Sequence, residues 1–338
     1  MRIGNHDELE VRRGEQACIA GDGHERQPTS LSRDVNHPYI RTFSWCRRAR
    51  SKGGSTAAIQ IEIRNGSRRV DTVVVMARGL GNRMRREDES VGLRSDQKHA
   101  AESGIKALVP FDRPFLDYVL TAVADAGYTK VCLVIGPEHE EIRTYYTNVE
   151  AERLSFNFAI QHEPKGTADA VLAAQDVVGD EPFLVINSDN HYPCEALLAL
   201  RQLDGPGLAC FDRDALIELS NIPAERIAGF AVVEVDTDGF MCRVHEKPSL
   251  EQLQSMPEPV GVSMNCWRLG GDHIFDACKA IDPSPRGEFE LPAAVQYSID
   301  TLGAQVRAVP LRLPVLDLTS RIDIDTVGER VKDLTVRL

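Results

Sequence analysis

The sequence predicts an α/β fold with a doubly wound, mainly parallel sheet, helices on both faces and an added, partly antiparallel region. Between residues 72 and 190, short apolar runs alternate with amphipathic helical stretches and short loops, a rhythm typical of parallel strands joined by helices. After about residue 205, strand-like runs follow one another with Gly, Asp and Pro between them, which indicates antiparallel pairing. A chain of 338 residues, 42% of them hydrophobic, is large enough to bury a substantial core.

The predicted elements begin with a strand at Val73–Met76, whose unbroken apolar run suits burial on both faces of a parallel sheet. A glycine-rich turn follows it. The next elements are a helix over 113–127, a strand over 131–135, a helix over 138–146, a strand over 154–160, a helix over 167–178 and a strand over 183–187. The last part of the chain is predicted to hold strands over 208–211, 229–235, 240–245, 260–269 and 305–310, and helices over 272–281, 291–302 and 324–334.

Charge divides the chain into two parts. Residues 1–70 carry 13 Lys and Arg against 8 Asp and Glu, a net charge of +5, and residues 71–338 carry a net charge of −17. The first part has no sustained period, so we expect it to be largely disordered or irregular, with a short strand at 58–63. A targeting peptide is a weaker alternative, because acidic residues are interspersed. The total of −12 argues against general nucleic-acid binding.

A polar, charge-dense run over residues 84–104 follows the glycine turn. It shows no apolar face in the sequence. Two interpretations stay open: a lid over the neighbouring turn, or a solvated insertion.

Eight cysteines are scattered without a Cys-x-x-Cys pair, so we expect reduced core residues and no structural zinc site. The chain has no apolar run near 18 residues and no signal-like apolar core at its start, which predicts no membrane span. A cytoplasmic location is the default expectation. The sequence is compatible with a homo-oligomer and does not decide the oligomeric state.

Five features that bring charge or backbone freedom fall at predicted loop ends. In chain order they are Gly79-Leu-Gly-Asn-Arg83, Lys106, Gln161 to Gly166, Asp189 and Glu246-Lys-Pro248. This order resembles the sugar-1-phosphate nucleotidyltransferases, a family with a Rossmann-like sheet that joins a nucleoside triphosphate to a sugar-1-phosphate and releases pyrophosphate. The resemblance implies one domain over residues 71–338, with a nucleotide-binding half at 71–204 and a sugar-binding half at 205–338.

The resemblance implies that cations and backbone donors do most of the chemistry. A sugar-phosphate oxygen attacks the α-phosphorus, so several negative charges must be brought together and the attack held in line. The implied catalytic set is Arg83, Lys106, Asp189 and Lys247. Mg²⁺ is the implied cofactor, with Asp189 and Asp317 as its ligands, because carboxylates supply the hard oxygens that this ion prefers. Asp317 lacks the tryptophan and glycine that usually flank the family's second metal aspartate.

For the nucleotide, the resemblance implies binding by six residues: Ala77, Arg78, Gly79, Gly81, Gln161 and Gly166. An amide such as that of Gln161 can donate to a pyrimidine carbonyl and accept from N3–H, which favours UTP or dTTP over a purine triphosphate. The clearest departure is Arg78, a large cation at a position where many members keep glycine or alanine close to the base.

For the sugar, the resemblance implies Gly229, Glu246, Lys247 and Asn265. The glycine lets the sugar approach the backbone, the glutamate accepts sugar hydroxyls, and the lysine meets the sugar phosphate. The implied partners are therefore a nucleoside triphosphate and a sugar-1-phosphate, with no nucleic acid and no membrane.

Three alternatives compete with this expectation. A dinucleotide-binding site needs a third glycine, but Met84 stands at that position. A glycosyltransferase would need Asp-x-Asp, and Ser188-Asp-Asn190 supplies one acid. A catalytically silent relative, which binds nucleotide or sugar as a regulatory subunit, stays open. Against it, such a protein has no physical need for all four charged residues of the implied catalytic set.

Overall fold

The computed structural model of the protein describes residues 69–88, 91–256 and 258–338. The strands are β1 (Thr72–Met76), β2 (Lys130–Ile135), β3 (Ser155–Ile160), β4 (Phe183–Asn187), β5 (Asn190–His191), β6 (Gly207–Asp212), β7 (Ala231–Val235), β8 (Met241–His245), β9 (Gly261–Leu269), β10 (Arg307–Leu311) and β11 (Leu316–Asp317). The helices are α1 (Asn82–Arg85), α2 (Ser95–Ser103), α3 (Phe115–Asp125), α4 (Glu140–Asn148), α5 (Thr167–Ala173), α6 (Gln175–Val178), α7 (Cys194–Arg201), α8 (Arg213–Leu219), α9 (Ala224–Ile227), α10 (Leu250–Ser255), α11 (Gly271–Ala280), α12 (Leu291–Asp300) and α13 (Arg321–Val331). A short 3-10 helix spans Lys106–Leu108.

One sheet runs through the described part of the chain, in the order β10-β6-β9-β4-β1-β2-β3. The strands β4, β1, β2 and β3 are mutually parallel, and β10 is parallel to β6. β9 is antiparallel to both β4 and β6, and β7 pairs antiparallel with β8 and β9. The predicted mainly parallel sheet with a partly antiparallel region is therefore confirmed.

The first strand shows why both faces of the sheet are covered. Val73 and Val75 belong to one buried apolar cluster, and Val74 and Met76 belong to a second one. Successive side chains point to opposite faces of a strand, so the unbroken apolar run of β1 faces two separate cores. Helix α3 contributes to the first cluster and helix α5 to the second, which places helices on both faces.

The predicted helices and strands agree with the structure to within a few residues, and the differences fall at short segments. The helix predicted over 167–178 is divided at Ala174, which ends α5 and precedes α6. Besides the three short helices between β1 and α3, six described elements have no predicted counterpart: α7, α8, α9, α10, β5 and β11. Each of these six is eight residues or shorter, which is too short for a periodic pattern to stand out.

The charge-dense run over 84–104 includes the end of α1 and all of α2. Contrary to the expectation that it has no packed face, α2 buries Gln97 and Ala101. The Gln97 Nε2 atom donates to the carbonyl oxygen of Pro110 at 3.1 Å. The buried face of α2 is therefore partly polar, which a search for apolar residues does not detect.

Several sequence expectations concern the ends or the environment of the chain. The disorder predicted for residues 1–70 lies outside the described residues, apart from Arg69 and Val70, and so does the strand predicted at 58–63. No helix among the described residues is both long and apolar enough to cross a lipid bilayer. Strand β9, from the predicted sugar-binding half, lies directly beside β4, so the two predicted halves share one sheet.

Candidate active site

The glycine turn lies at the carboxyl end of β1, where its backbone closely approaches a neighbouring segment. Gly81 has φ 62°, and a Cβ atom there would lie 2.2 Å from the carbonyl oxygen of Gly104. Both the left-handed backbone and the close approach require glycine at this position. By contrast, a Cβ on Gly79 would have no atom within 4 Å, so packing does not require glycine there. Arg83 follows in α1 with an exposed side chain.

Two arginines fix the turn to the rest of the fold. Arg85 donates from Nη2 to the carbonyl oxygen of Ser103 at 2.7 Å, which ties α1 to the end of α2. Arg321, at the start of α13, donates from Nε to the carbonyl oxygen of Met84 at 3.0 Å. The segment that carries Arg83 is therefore held from both sides.

Lys106 and Asp189 form an ion pair beside this turn. The Lys106 Nζ atom donates to Oδ2 of Asp189, and both side chains are half-buried. The parallel pairing of β1 and β4 brings the glycine turn after β1 and Asp189 after β4 to the same edge of the sheet. Lys106 joins them because Gly104, two residues earlier, closely approaches Gly81 of the turn. The Ser188 N–H donates to the carbonyl oxygen of Met76 at 3.2 Å, which continues that alignment to Asp189.

Asp317 reaches the same place from a distant part of the chain. Strand β11 pairs antiparallel with β5, with Asp317 opposite Asn190, and the Leu318 N–H donates to the carbonyl oxygen of Asp189 at 2.9 Å. Burial raises the pKa of Asp317, and the negative charge of Asp189 raises it further. The two carboxylates predicted to hold a metal are thus neighbours.

A buried network surrounds Asp317. Arg226 in α9 donates to Asp317 Oδ1 at 3.1 Å and to Asp323 Oδ1 at 2.9 Å. Asn190 Nδ2 donates to Asp317 Oδ2 at 3.3 Å. The side-chain amide of Asn221 donates to the carbonyl oxygen of Asp317 and accepts from its backbone N–H, both at 2.8 Å. Both oxygens of Asp317 therefore have a partner, and one of these partners is a cation.

The carboxylate pair fits a magnesium ion that also binds substrate phosphates. Among the described residues, no group of three or more His, Cys, Asp or Glu side chains is arranged to hold a metal ion. Mg²⁺ in phosphate-binding sites is commonly held by one or two carboxylates together with phosphate oxygens and water. Asp189 and Asp317 supply two carboxylates of this kind.

The predicted base-binding residues Gln161 and Gly166 follow the carboxyl end of β3. Gln161 directly follows β3 and is buried; its Nε2 donates to the carbonyl oxygen of Gly166 at 3.0 Å and to Asp169 Oδ2 at 2.7 Å. Gly166 has φ 113°, and a Cβ there would lie 2.5 Å from the carbonyl oxygen of Phe289. This close contact with the segment before α12 requires glycine at position 166.

Arg78 extends from the end of β1 towards the same region. Its Nη2 lies 3.1 Å from Glu138 Oε1 and 3.2 Å from the carbonyl oxygen of His162, the residue after Gln161. The guanidinium is buried against the backbone of Gly136, where an added Cβ would lie 2.4 Å from Nε. Ala77, which precedes Arg78, is buried and donates its N–H to the carbonyl oxygen of Val134 at 2.9 Å.

A cleft opens beside the carboxyl end of β4, towards β7 and β9. Three of the four predicted sugar-binding residues line it: Gly229, Glu246 and Asn265. The fourth, Lys247, follows Glu246 at the rim with an exposed side chain and a left-handed φ of 47°. The sequence predictions for the sugar side thus converge on one cavity.

The conformation of Asn265 comes from an irregularity in β9. The register of β9 against β6 shifts between Leu208 and Cys210, so β9 has extra residues there, and Asn265 has φ 54°. Irregularities of this kind redirect a side chain out of the regular alternation. Trp267 Nε1 donates to Asn265 Oδ1 at 3.3 Å, which holds the amide at the wall of the cleft.

Glu246 has an unusual electrostatic environment for a side chain that solvent reaches. The surrounding walls raise its pKa above the ordinary value of 4.5, and the carboxylate of Glu290 adds to this increase. Lys247 and Arg286 oppose it. Glu246 therefore takes up a proton more readily than a free glutamate as the pH falls.

Comparison with known proteins identifies the family. The family model of nucleotidyl transferases matches residues 102–309, more than half of the chain. The chain belongs to the nucleotidyl transferase family. The glucose-1-phosphate thymidylyltransferase of Streptomyces griseus is 30% identical over 236 residues, which cover 70% of this chain and 59% of that protein. The UTP–glucose-1-phosphate uridylyltransferase AglF of Haloferax volcanii is 26% identical over 267 residues, covering 78% of this chain and 98% of AglF.

Length and structure add to this comparison. The chain spans 58–59% of the length of the first curated relatives that it matches. Among solved structures, a UDP-glucose pyrophosphorylase complexed with UDP-glucose superposes with a TM-score of 0.61 at 17% identity, covering 79% of this chain and all of that one. The nucleotidyl transferase fold is thus shared at a sequence identity too low to carry over details of the site.

Some site residues of this nucleotidyl transferase have no counterpart in the sequence predictions. Asn187, Asn190 and Ser263 line the cleft, and Arg226 anchors Asp317. Asn187 and Asn190 flank Ser188-Asp189 at the end of a predicted strand, so their position offered a signal. Arg226 offered none, because its partner lies 91 residues away in the sequence and it falls in an ordinary polar stretch.

Proposed function

We propose that this chain is a Mg²⁺-dependent sugar-1-phosphate nucleotidyltransferase that uses UTP or dTTP. In this reaction an oxygen of the sugar-1-phosphate forms a bond to the α-phosphorus of the triphosphate. The bond from that phosphorus to the bridging oxygen of the β-phosphate breaks, and pyrophosphate leaves. The products are a nucleotide sugar and pyrophosphate.

One observation carries the proposal: the glycine turn, the Lys106–Asp189 pair and Asp317 meet beside a cleft lined by Gly229 and Glu246. A reaction between two phosphate-bearing substrates needs a cationic, donor-rich region next to a pocket for the second substrate. The site has both parts at one edge of the sheet. In this arrangement the nucleotide binds at the ends of β1 to β4, and the sugar binds against β7 and β9.

Asp189 and Asp317 would hold the magnesium ion. A bound Mg²⁺ neutralises charge on the triphosphate and on the groups that react. Lys106 pairs with Asp189 in this structure, so substrate binding has to break this ion pair. The ammonium group of Lys106 would then donate to a phosphate oxygen, and the Asp189 carboxylate would face the cation.

The remaining cations act on the phosphates. Arg83, exposed on α1, lies in the segment that Arg85 and Arg321 hold in place, so it can orient the leaving pyrophosphate. Lys247 at the rim of the cleft would bind the sugar phosphate and hold it in line for attack. Preorganised cations of this kind lower the barrier because their orientation is set before the charge develops.

The sugar and the base would be recognised mainly by uncharged contacts and one carboxylate. Glu246 and Asn265 line the cleft with groups that accept hydrogen bonds from sugar hydroxyls, and Gly229 leaves room beside the backbone. Gln161 has both amide hydrogens directed at protein acceptors, which leaves Oε1 to accept from the N3–H of uracil or thymine. The relatives named as thymidylyl- and uridylyltransferases support the choice of UTP or dTTP.

Turnover with defined substrates tests the proposal. The protein is incubated with Mg²⁺, one triphosphate at a time and a panel of hexose-1-phosphates, and pyrophosphate release is followed. We expect release with UTP or dTTP only when a sugar-1-phosphate is present. Absence of turnover with every pair, together with measurable nucleotide binding, would favour the silent regulatory subunit instead. The cytoplasmic location and the homo-oligomer considered from the sequence stay predictions.

A further inference from the structure

Arg78 is a buried cation with unused hydrogen-bond donors beside the region proposed for the base. Its side chain is 7% exposed, and its Nε and Nη1 atoms are buried with no hydrogen-bond partner among the described residues. Glu138 and the carbonyl oxygen of His162 both contact the remaining atom, Nη2. Because buried donors without a partner are rare and costly, these two atoms call for an acceptor that the described residues do not supply.

Gln161 supplies a hydrogen-bond acceptor that complements the donors of Arg78. Its amide nitrogen faces two acceptors, the Gly166 carbonyl and the Asp169 carboxylate, so the orientation of the amide is fixed by its partners. The oxygen Oε1 therefore remains as the acceptor of this side chain. The Arg78 Nη2 atom donates to the carbonyl oxygen of the next residue, His162, so the guanidinium lies beside the backbone that carries Gln161.

A donor next to an acceptor selects one type of base edge. Uracil and thymine present a 4-keto oxygen, which accepts, beside N3–H, which donates. Cytosine presents the reverse order, an amino group that donates beside N3, which accepts. With cytosine the guanidinium would face another donor, and N3 would face the oxygen of Gln161.

We propose that Arg78 is a specificity-determining residue that donates to the 4-keto oxygen of a uracil or thymine base and thereby excludes cytosine. The inference rests on the proposed use of a pyrimidine triphosphate. The exposed Glu138 carboxylate would keep the guanidinium at the base-binding region, and the base oxygen would give the unused donors a partner after a small movement of the side chain. Arg78 would thus give the base a charged donor at a position where a small residue has no side-chain donor.

Nucleotide binding without turnover tests this directly. Calorimetric titration of the full chain with UTP, dTTP and CTP in the presence of Mg²⁺ gives the ratio of affinities for the keto and amino pyrimidines. We expect Arg78→Met, which keeps the length of the side chain but removes its donors, to reduce the preference for UTP over CTP by about ten- to a hundredfold. Arg78→Lys keeps one charged donor and should keep part of the preference, and this variant decides the question if Arg78→Met does not fold.

Arg153→Ala is the matched control. Arg153 precedes β3 at the end opposite to Gln161, where it pairs with Asp125 at 2.6 Å, so its loss should leave the UTP-to-CTP ratio unchanged. An equal loss of affinity for all three triphosphates in Arg78→Met would overturn the proposal and place Arg78 at the phosphates. An unchanged ratio in Arg78→Met, or in Arg78→Lys if only that variant folds, would overturn it as well.

The two proposals fail in different ways. Binding with the predicted ratio but no turnover with any sugar-1-phosphate would reject the proposed enzyme and retain the role of Arg78. Turnover with UTP and CTP at equal efficiency in the unaltered protein would retain the enzyme and reject the role of Arg78. A protein that binds none of the triphosphates would overturn both.

Discussion

The nucleotide side and the sugar side of the candidate site differ in how their charges are held. On the nucleotide side, Lys106 is paired with Asp189 and Arg226 with Asp317. On the sugar side, Glu246 lines a cleft, Lys247 lies at its rim, and both side chains are exposed. We call the nucleotide side closed, because these charges are paired with one another. We call the sugar side open, because its charges are exposed before any substrate binds.

This difference has an energetic consequence. When one member of a buried ion pair is removed, the other charge is left without compensation, which costs more than the pair contributed. A triphosphate and its cation can avoid that cost, because they bring both signs of charge and can exchange partners with both members of a pair. An open cleft needs no such exchange, so single changes there should have smaller effects.

The largest effect is expected from Asp189→Asn on the closed side. The change removes a proposed metal ligand and the partner of Lys106, so activity should fall by about 1,000-fold or more, since a metal contributes several kcal/mol at the transition state. Steady-state pyrophosphate release measures it. Asp176→Asn on the exposed part of α6 is the control and should be fully active. An Asp189→Asn protein within tenfold of the original activity would contradict the assignment.

The second prediction compares Asp317 and Asp323, which both accept a hydrogen bond from Arg226. Asp317→Asn should lower activity by about 100-fold and raise the Mg²⁺ concentration needed for half-maximal activity, because it removes a proposed ligand. Asp323 accepts from the backbone N–H of Ser320 at 2.7 Å and caps α13, so Asp323→Asn should mainly lower the melting temperature. Titration of activity against Mg²⁺ separates the two. The same Mg²⁺ requirement in Asp317→Asn and the unaltered protein would argue against a metal role.

These two aspartates also show what the sequence could predict. Asp189 lies two residues after the buried strand β4, and the carboxyl ends of parallel strands meet at one edge, so local pattern and topology were sufficient to predict that Asp189 lies at this edge. The cage around Asp317 was not predictable, because its hydrogen bonds to Arg226 and Asn190 join residues 91 and 127 positions apart. The fold itself follows from periodic apolar runs such as β1, whereas α9, β5 and β11 are too short to show a period.

The pairing on the nucleotide side was equally hidden from the sequence. Glycine and arginine at positions 79 to 83 predict a phosphate-binding turn, but no pattern indicates that Arg78 packs against Gly136 and pairs with Glu138. Side-chain partners across neighbouring loops depend on the geometry of the loops. Sequence reasoning therefore predicts which residues lie at this edge of the sheet better than it predicts the interactions among their charges.

The third prediction concerns the turn that supports the closed side. Gly81→Ala should lower the free energy of unfolding by about 2–4 kcal/mol, because a left-handed alanine is strained and its Cβ would meet the Gly104 carbonyl oxygen at 2.2 Å. Gly79→Ala is the matched comparison: no atom lies within 4 Å of the added Cβ, so stability should change by less than about 0.5 kcal/mol. Urea unfolding of both variants gives the values. Equal losses in the two variants would contradict the close approach seen at Gly81.

The smallest effect is expected on the open side, from Glu246→Gln. Glutamine can still accept a hydrogen bond, so the KM for the sugar-1-phosphate should rise by only about tenfold at neutral pH, with a smaller change in kcat. Because the pKa of Glu246 is raised, the original protein should lose its charged acceptor as the pH falls towards a value above 4.5. Its kcat/KM for the sugar phosphate should therefore decline on the acidic side, and this decline should be weaker in Glu246→Gln.

The melting temperature of Glu246→Gln is the control for the change in its KM. A carboxyl group whose pKa is raised on folding is bound to its proton more tightly in the folded protein, so its ionised form opposes folding above that pKa. Glu246→Gln should therefore leave the melting temperature at pH 7 unchanged or slightly higher, while the KM rises. A melting temperature that falls together with the activity would instead mean that Glu246 supports the structure of the cleft, and the contrast between an open and a closed side would not hold for this residue.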